Sequence, residues 1–489
     1  MKTISKILLM ACILWSCADL EEETPGSLTT RSLYKTQDDL EAASIGLYAP
    51  LFGGYRAFDF DWPIMMTAGG EDVDSQAGIF RRFDELRADP GSSSISAMWE
   101  ALYKSINNAN NIIGNISNVA GTEQRDHVEG QARFIRAMCY FYLTRWFGEV
   151  QLITSENQDV AGEVSQSSVE DIYQLIVDDL LLAEVLLPDA FEGTSARADQ
   201  GAAKALLAKV YLTMGGWPIN QSSAYGLARD KAEELLSDDI YRLENNFGDL
   251  WDPTNKFSNS EFIFILHGVS SSGSANASHH HKATRPTSEG GWGDWYTEER
   301  FLDAFPDGPR KEASFRLMFS NGTYWHENNV PGGGPGQPFT AKYRNAGGDC
   351  GFETTGCSEH GDGFFPVLRF ADVLLIYAEA ANLAEGSPSS LAYEALNKVK
   401  RRAAGLNPNI PGFVDLTGLS SEDFDQAVLD ERNWELAFEA NRWFDLVRRE
   451  LVEEANAGIH EGVTKEDYWL PKPALQVDLS AGLTQNDGY

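Results

Sequence analysis

The chain is predicted to be mainly α-helical: tetratricopeptide-like helix pairs form a scaffold, interrupted by one long loop-rich insert. Three observations predict this. Apolar residues recur at helical spacing through most of residues 36–242 and 366–452. Segments 133–143, 203–212 and 371–380 each set small residues beside a tyrosine, and the first two begin about 70 residues apart, roughly twice a tetratricopeptide period. Between residues 243 and 365 the helical period is lost and Gly, Ser, Asn and Trp dominate.

Residues 1–16 read as a signal peptide. Lys2 and Lys6 precede an apolar run too short to cross a bilayer. Leu14, Trp15, Ser16 and Cys17 resemble a bacterial lipobox, in which cleavage frees Cys17 for lipidation. An ordinary signal peptide with a coincidental cysteine is the alternative. Residues 17–35 are acidic, carry Pro25 and Gly26, and read as a flexible tether. No second apolar run approaches the roughly 18 residues of a membrane helix, so the mature chain is expected to be anchored by lipid. Residues 36–489 are expected to form one domain, with scaffold at 36–242 and 366–452, insert at 243–365 and tail at 453–489.

Thr36 is expected to cap the first helix, with Asp38 and Asp39 in its first turn and Gly53 and Gly54 at its end. A loop rich in aromatics and Asp follows to residue 94. Helices are then predicted at about 95–118, 124–147, 169–187, 197–214, 224–237, 368–385, 389–403 and 421–452. Residues 261–266 read as a short strand. Trp99 and its apolar neighbours keep helical spacing and read as core. The run 429–449 has no Gly or Pro, so an unbroken helix is expected. Its Arg432 and Glu435, Glu439 and Arg442, and Asp445 and Arg448 are each three residues apart and are expected to pair. Burial would make Glu439 and Arg442 important to stability.

A formal net charge of −34 argues against a nucleic-acid partner. Nucleophile-elbow, P-loop, dinucleotide and H-E-x-x-H patterns are absent from the sequence. Cys350 and Cys357 share a Gly-rich loop and are expected to form a disulfide in an exported protein. Cys139 reads as a small buried residue. His279, His280 and His281 are adjacent, a poor arrangement for a metal, and read as a solvated loop. Glu71, Asp72 and Asp74 lack calcium-loop spacing and also read as solvated. No metal or cofactor is expected.

The best site candidates are aromatic. Trp292, Trp295 and Tyr296 alternate with small residues, and Tyr324 and Trp325 follow in the same insert. The apolar face and hydroxyl rim of a pyranose favour a flat ring with polar groups beside it, here Asp294, Arg285 and Asn321. The alternative is that these rings pack the loops onto the helices.

The run 429–449 resembles the C-terminal helix of the SusD/RagB family of outer-membrane nutrient-binding lipoproteins, close to E-R-x-x-E-L-x-x-E-G-x-R-W-x-D-L-x-R. Glu431, Arg432, Glu435, Leu436, Glu439, Arg442, Trp443, Asp445, Leu446 and Arg448 match; Ala440 replaces the family's usual Gly and Asn441 its His. Segments 195–211, 468–479 and 483–489 also resemble family segments, and the acidic run after Cys17 resembles the surface-export signal of Bacteroidota lipoproteins. The resemblance implies a non-enzymatic, surface-facing outer-membrane lipoprotein that captures oligosaccharide for a SusC-like TonB-dependent transporter. It also implies ligand contacts from the loop after the first helix, here Phe80, Arg81 and Arg82. A peptide-binding member of the family and a surface glycosidase are the alternatives.

Overall fold

The computed structural model describes residues 34–54, 57–59, 69–70, 72–75, 78–273, 276–319, 322–326, 338–343 and 360–489. Cys17 with the expected leader, Glu71, Asn321, and Cys350 with Cys357 lie outside the described residues.

Seven helices precede or enter the scaffold before the insert: α1 Gln37–Tyr48, α2 Gly78–Asp84, α3 Ser93–Asn115, α4 Glu123–Phe147, α5 Val169–Leu186, α6 Gln200–Met214 and α7 Ala224–Ser237. Short helices α8 His280–Ala283, α9 Glu299–Ala304 and α10 Pro309–Ser314 lie in the insert. After it come α11 Phe370–Glu385, α12 Ser390–Ala403, α13 Ser421–Glu435, α14 Arg442–Arg448, α15 Val452–Ala455 and α16 Ala474–Leu479. Polar side chains start most of the long helices. Thr36 and Asp39 form a capping box on α1. Thr122, Ser168, Asp199, Ser389 and Ser420 accept backbone N–H groups at the starts of α4, α5, α6, α12 and α13.

Helices adjacent in sequence pack on one another from α3 to α7. Helix α7 then packs directly on α11, which holds α12 and α13, so the insert is an excursion from a continuous helical array. Small residues permit this: Ala202, Ala205 and Ala208 of α6 and Ala228 and Ala232 of α7 are fully buried. The insert is tied back by β3 Phe262–His267 pairing antiparallel with β6 Phe364–Arg369, both packed on α6. The other strands are two-residue pairs: β1 Val150–Gln151 with β2 Gln166–Ser167, and β4 Phe315–Arg316 with β5 Phe339–Thr340. Trp99 and Cys139 are buried in the main core, as expected.

The expected unbroken helix over 429–449 is corrected. Helix α13 ends at Glu435, and the chain turns through Phe438 (φ 65°) and Ala440 (φ 57°) before α14 begins. The break separates the charges expected to pair locally. Glu435 accepts from Arg310 at 3.0 Å, from Arg369 at 2.5 Å, and from Arg402. Glu439 takes Lys342 and Arg369, each at 2.7 Å, rather than Arg442, which is only partly buried. Arg310 also reaches Glu431 at 2.5 Å, and Glu261 takes Arg369 at 2.9 Å and Arg402 at 2.8 Å. Four buried cations, Arg310, Lys342, Arg369 and Arg402, thus meet four buried carboxylates, Glu261, Glu431, Glu435 and Glu439. Only Asp445 and Arg448 form the expected local pair, at 2.8 Å, within a second cluster that includes Arg432, Asp372 and Glu379. These pairings explain the break: a straight helix would leave Glu435 and Glu439 fixed to one face, whereas the turn gives each a cation from another part of the chain.

Candidate functional site

The first loop and the insert meet along a short antiparallel contact. The Asp74 N–H donates to the Tyr296 carbonyl at 3.0 Å, and the Tyr296 N–H to that of Asp74 at 3.3 Å. The Ser75 hydroxyl donates to the Asp294 carbonyl at 2.6 Å, and the Thr297 hydroxyl to that of Asp72 at 2.6 Å. On its other side Tyr296 bridges to Phe339. A tight reversal completes the rim: the Phe319 N–H donates to the Thr323 carbonyl and the Trp325 N–H to the Leu317 carbonyl. Tyr296, Phe319 and Phe339 form a small separate cluster against which Trp325 packs. Tyr324 beside it is 47% exposed. Arg81, exposed on α2, acts electrostatically on both Asp74 and Tyr296.

The structure therefore divides the sequence candidates. Trp292 is partly exposed and lies nearly parallel to His279, with ring centroids 6.1 Å apart and 12° between planes. Tyr324, Trp325 and Arg81 are the other accessible members. Trp295 is fully buried and stacked on Tyr343 at 5.4 Å, with no face open to a ligand. Tyr296 is buried with its hydroxyl donating to Asp74 at 2.8 Å, and Phe80 is buried in the main core. For Trp295 and Tyr296, the packing alternative describes the position, and Phe80 is enclosed in the same way. Arg285 is also buried, whereas Asp294 is partly exposed, its carboxyl raised by burial. Arg82 is exposed and pairs with Asp89 at 3.1 Å.

Two polar expectations are corrected. The three histidines are buried rather than solvated. His279 holds Asp59 through its ring and its backbone N–H, at 2.6 and 2.7 Å, and His280 meets the Phe58 carbonyl at 2.8 Å. Burial lowers His280 to about 4, so it is neutral at physiological pH. They bind the insert to the 57–59 turn, which supplies the partners that adjacency alone did not suggest. Asp72 is likewise buried. Asp74 converges with Asp84 and Glu298, their carboxylate oxygens within 4.8 Å of one another. Burial, and the other carboxylates of the group, raise Asp74 and Glu298. His460 lies 3.7 Å from Asp84 and is itself raised by hydrogen bonding to it. Asp84, Glu298, His460 and Asp59 were not singled out in the sequence, because they come from separate segments and share no spacing. The rim as a whole offers partly exposed rings beside acceptors, suited to hydroxyl donors.

Comparisons with known proteins agree along the whole chain. The profile of the SusD family matches residues 338–489, and that described as "Starch-binding associating with outer membrane" matches residues 76–212. A SusD-like protein P2 of Formosa agariphila is 28% identical over 516 aligned positions, covering 99% of this chain and 98% of that protein. A SusD-like protein of Bacteroides ovatus is 26% identical, covering 91% and 82% respectively. Among solved structures, a SusD homolog from Bacteroides thetaiotaomicron superposes with a TM-score of 0.80 at 24% identity, over 94% of this chain and 98% of that one. A laminarin binding SusD-like protein gives 0.76 at 24% identity, over 93% and 100%.

Proposed function

This chain belongs to the SusD/RagB family of non-catalytic binding proteins, associated with the outer membrane, and from that premise we propose that it captures oligosaccharide and passes it to a SusC-like TonB-dependent transporter. The observation that carries the reading is the rim where residues 72–75 meet the insert, with α2 close by. Trp325 packs on the Tyr296, Phe319 and Phe339 cluster with exposed Tyr324 next to it in sequence, Arg81 acts on Tyr296 from α2, and Trp292, two residues before Asp294, is partly exposed, which supports these rings as ligand contacts. Planar rings take the apolar face of a pyranose, and flanking polar groups take its hydroxyls. Similarly folded proteins include a laminarin binding SusD-like protein and a surface glycan-binding protein of Bacteroides thetaiotaomicron in complex with laminarihexaose, which supports a sugar as the ligand class.

In this reading Cys17 carries the lipid, residues 17–35 form the tether, and residues 36–489 face the cell exterior as one domain. The protein acts as a lid on the transporter, and transport energy comes from that partner. Incubation of the purified protein with mixed polysaccharides, followed by chromatography of both fractions, tests the proposal. Retention of intact glycan is expected. Appearance of shortened products would establish a glycosidase instead, and retention of peptides without glycan would establish a peptide-binding member.

A further inference from the structure

A second aromatic cleft lies on the helical scaffold and shares no residue with the insert rim. It has a volume of about 380 Å³ and opens between the end of α4, strand β2, the turn after α6 and the C-terminal tail. Trp217 and Trp469 line it, both partly exposed, with ring centroids 4.8 Å apart at 47°.

Each ring is held by backbone rather than by other side chains alone. Trp469 lies over Gly148, where a Cβ would come within 2.8 Å of the indole, and Gly148 itself has φ 67°. The next residue anchors this segment, because the Leu470 N–H donates to the Trp146 carbonyl at 2.7 Å. The Trp217 N–H donates to the Arg448 carbonyl at 3.0 Å, at the end of α14. Tyr468 backs Trp217 edge-on at 5.0 Å.

The polar wall is also built before any ligand arrives. Gln166 donates to Glu149 at 2.7 Å and accepts from the Thr484 N–H at 3.0 Å. Lys472, buried, donates to the Thr484 carbonyl at 2.8 Å and to Gln166 at 3.3 Å. Burial lowers Lys472 to about 8. Gln485 exchanges two hydrogen bonds with the Lys472 backbone, at 2.7 and 2.8 Å, and Asn486 is held by the Leu470 carbonyl at 2.7 Å. A wall fixed this way loses little freedom when it binds. At the mouth, the Glu466 and Asp487 side chains make no hydrogen bond to another described residue, and both are exposed.

We propose that this cleft is a second carbohydrate subsite, taking a neutral pyranose residue of the same class of ligand through the faces of Trp217 and Trp469 and the acceptors around them. The proposal rests on the glycan reading above. A neutral sugar is specified because Glu149, Glu466 and Asp487 outnumber Lys465 and Lys472 in the lining, so an anionic sugar meets net repulsion. Two separated subsites would let one long chain be held at two points, raising its residence without tighter single contacts.

The test uses full-length protein in detergent, labelled with 5-fluorotryptophan, with fluorine resonances assigned through Trp217→Phe and Trp469→Phe. It is titrated with maltohexaose, laminarihexaose and cellohexaose, and with methyl glucuronide as the anionic probe. Saturable shifts of the Trp217 and Trp469 resonances are expected with at least one neutral hexaose, at least threefold weaker with the glucuronide, and persisting in a Trp292→Ala, Tyr324→Ala variant. Shifts confined to Trp292 and Trp325 would leave the glycan reading standing and overturn the second subsite. Loss of the Trp469 shift in the double variant would also overturn it, because the two places would then be one coupled site. No shift at any tryptophan with the three neutral sugars would overturn both readings.

Discussion

Arg369 is the most connected cation of the buried cluster, and replacing it exposes how the fold is held. Its guanidinium donates to Glu435 at 2.5 Å, to Glu261 at 2.9 Å and to Glu439 at 2.7 and 3.0 Å, and also reaches the Glu435 carbonyl at 2.6 Å. In Arg369→Met, three buried cations would face four buried carboxylates, and the partly exposed Lys400 reaches only Glu431, at 3.6 Å, so negative charge around Glu435 and Glu439 would go uncompensated. Removing one partner of a buried ion pair costs about 3–5 kcal/mol. The entropy of unfolding over 489 residues amounts to roughly 1 kcal/mol per kelvin, so Tm should fall by about 3–5 °C. Differential scanning calorimetry at pH 7 measures this. The decisive comparison is the double variant Arg369→Met, Glu435→Gln, which restores the balance with three cations and three carboxylates. It should be more stable than the sum of the two single changes implies, by about 1–3 kcal/mol. An unchanged Tm in Arg369→Met, or strict additivity in the double variant, would refute the reasoning.

Other outcomes follow from the same geometry. Trp292→Ala and Tyr324→Ala should each weaken glycan binding by roughly twofold to tenfold, as measured by isothermal titration, if stacking contributes about 0.5–1.5 kcal/mol. Trp295→Ala should instead lower stability by about 3–5 kcal/mol, read by urea denaturation, because its ring is core. Burial alone would raise Glu435 and Asp445, but the guanidinium groups around them hold both well below the ordinary carboxylate range. A lowered carboxyl contributes stability above its unfolded value, so Tm should decline as pH falls below about 4. His460 has the opposite sign: raised through Asp84, it contributes below about 6.5 and loses that contribution as pH rises. Cys17→Ala should abolish incorporation of labelled fatty acid and release the protein from membranes.

The scaffold was legible in the sequence because its helices carry both period and caps. The helix predicted at 124–147 is α4 Glu123–Phe147, and that at 224–237 is α7 Ala224–Ser237. The break after Glu435 was hidden, since neither Gly nor Pro marks it. One signal was present: Ala440 stands where the resembling family has Gly, and its φ of 57° is a conformation glycine adopts freely. The insert was legible only as a region. Its aromatic spacing located the rim but did not separate Trp292, which is partly exposed, from Trp295, which is enclosed. Which ring is covered depends on Tyr343, 48 residues downstream, and no local pattern encodes that contact. The polar partners at the rim were obscure for the same reason: Asp74, Asp84, Glu298 and His460 are joined only by the path of the chain.

The buried cluster around Glu435 also orders events in time. Glu261, Arg310, Lys342 and Arg369 leave the ribosome before the acids at 431, 435 and 439 are made. Until then Arg310 and Lys342 of the insert lack their acidic partners, and burying them unpaired would cost several kcal/mol each. The insert would therefore complete its packing only when residues 431–439 are available. Under the export proposed above, this delay would let synthesis and threading across a membrane proceed on an unfinished fold, and closure of the ion cluster would be a late step that requires nearly the full length.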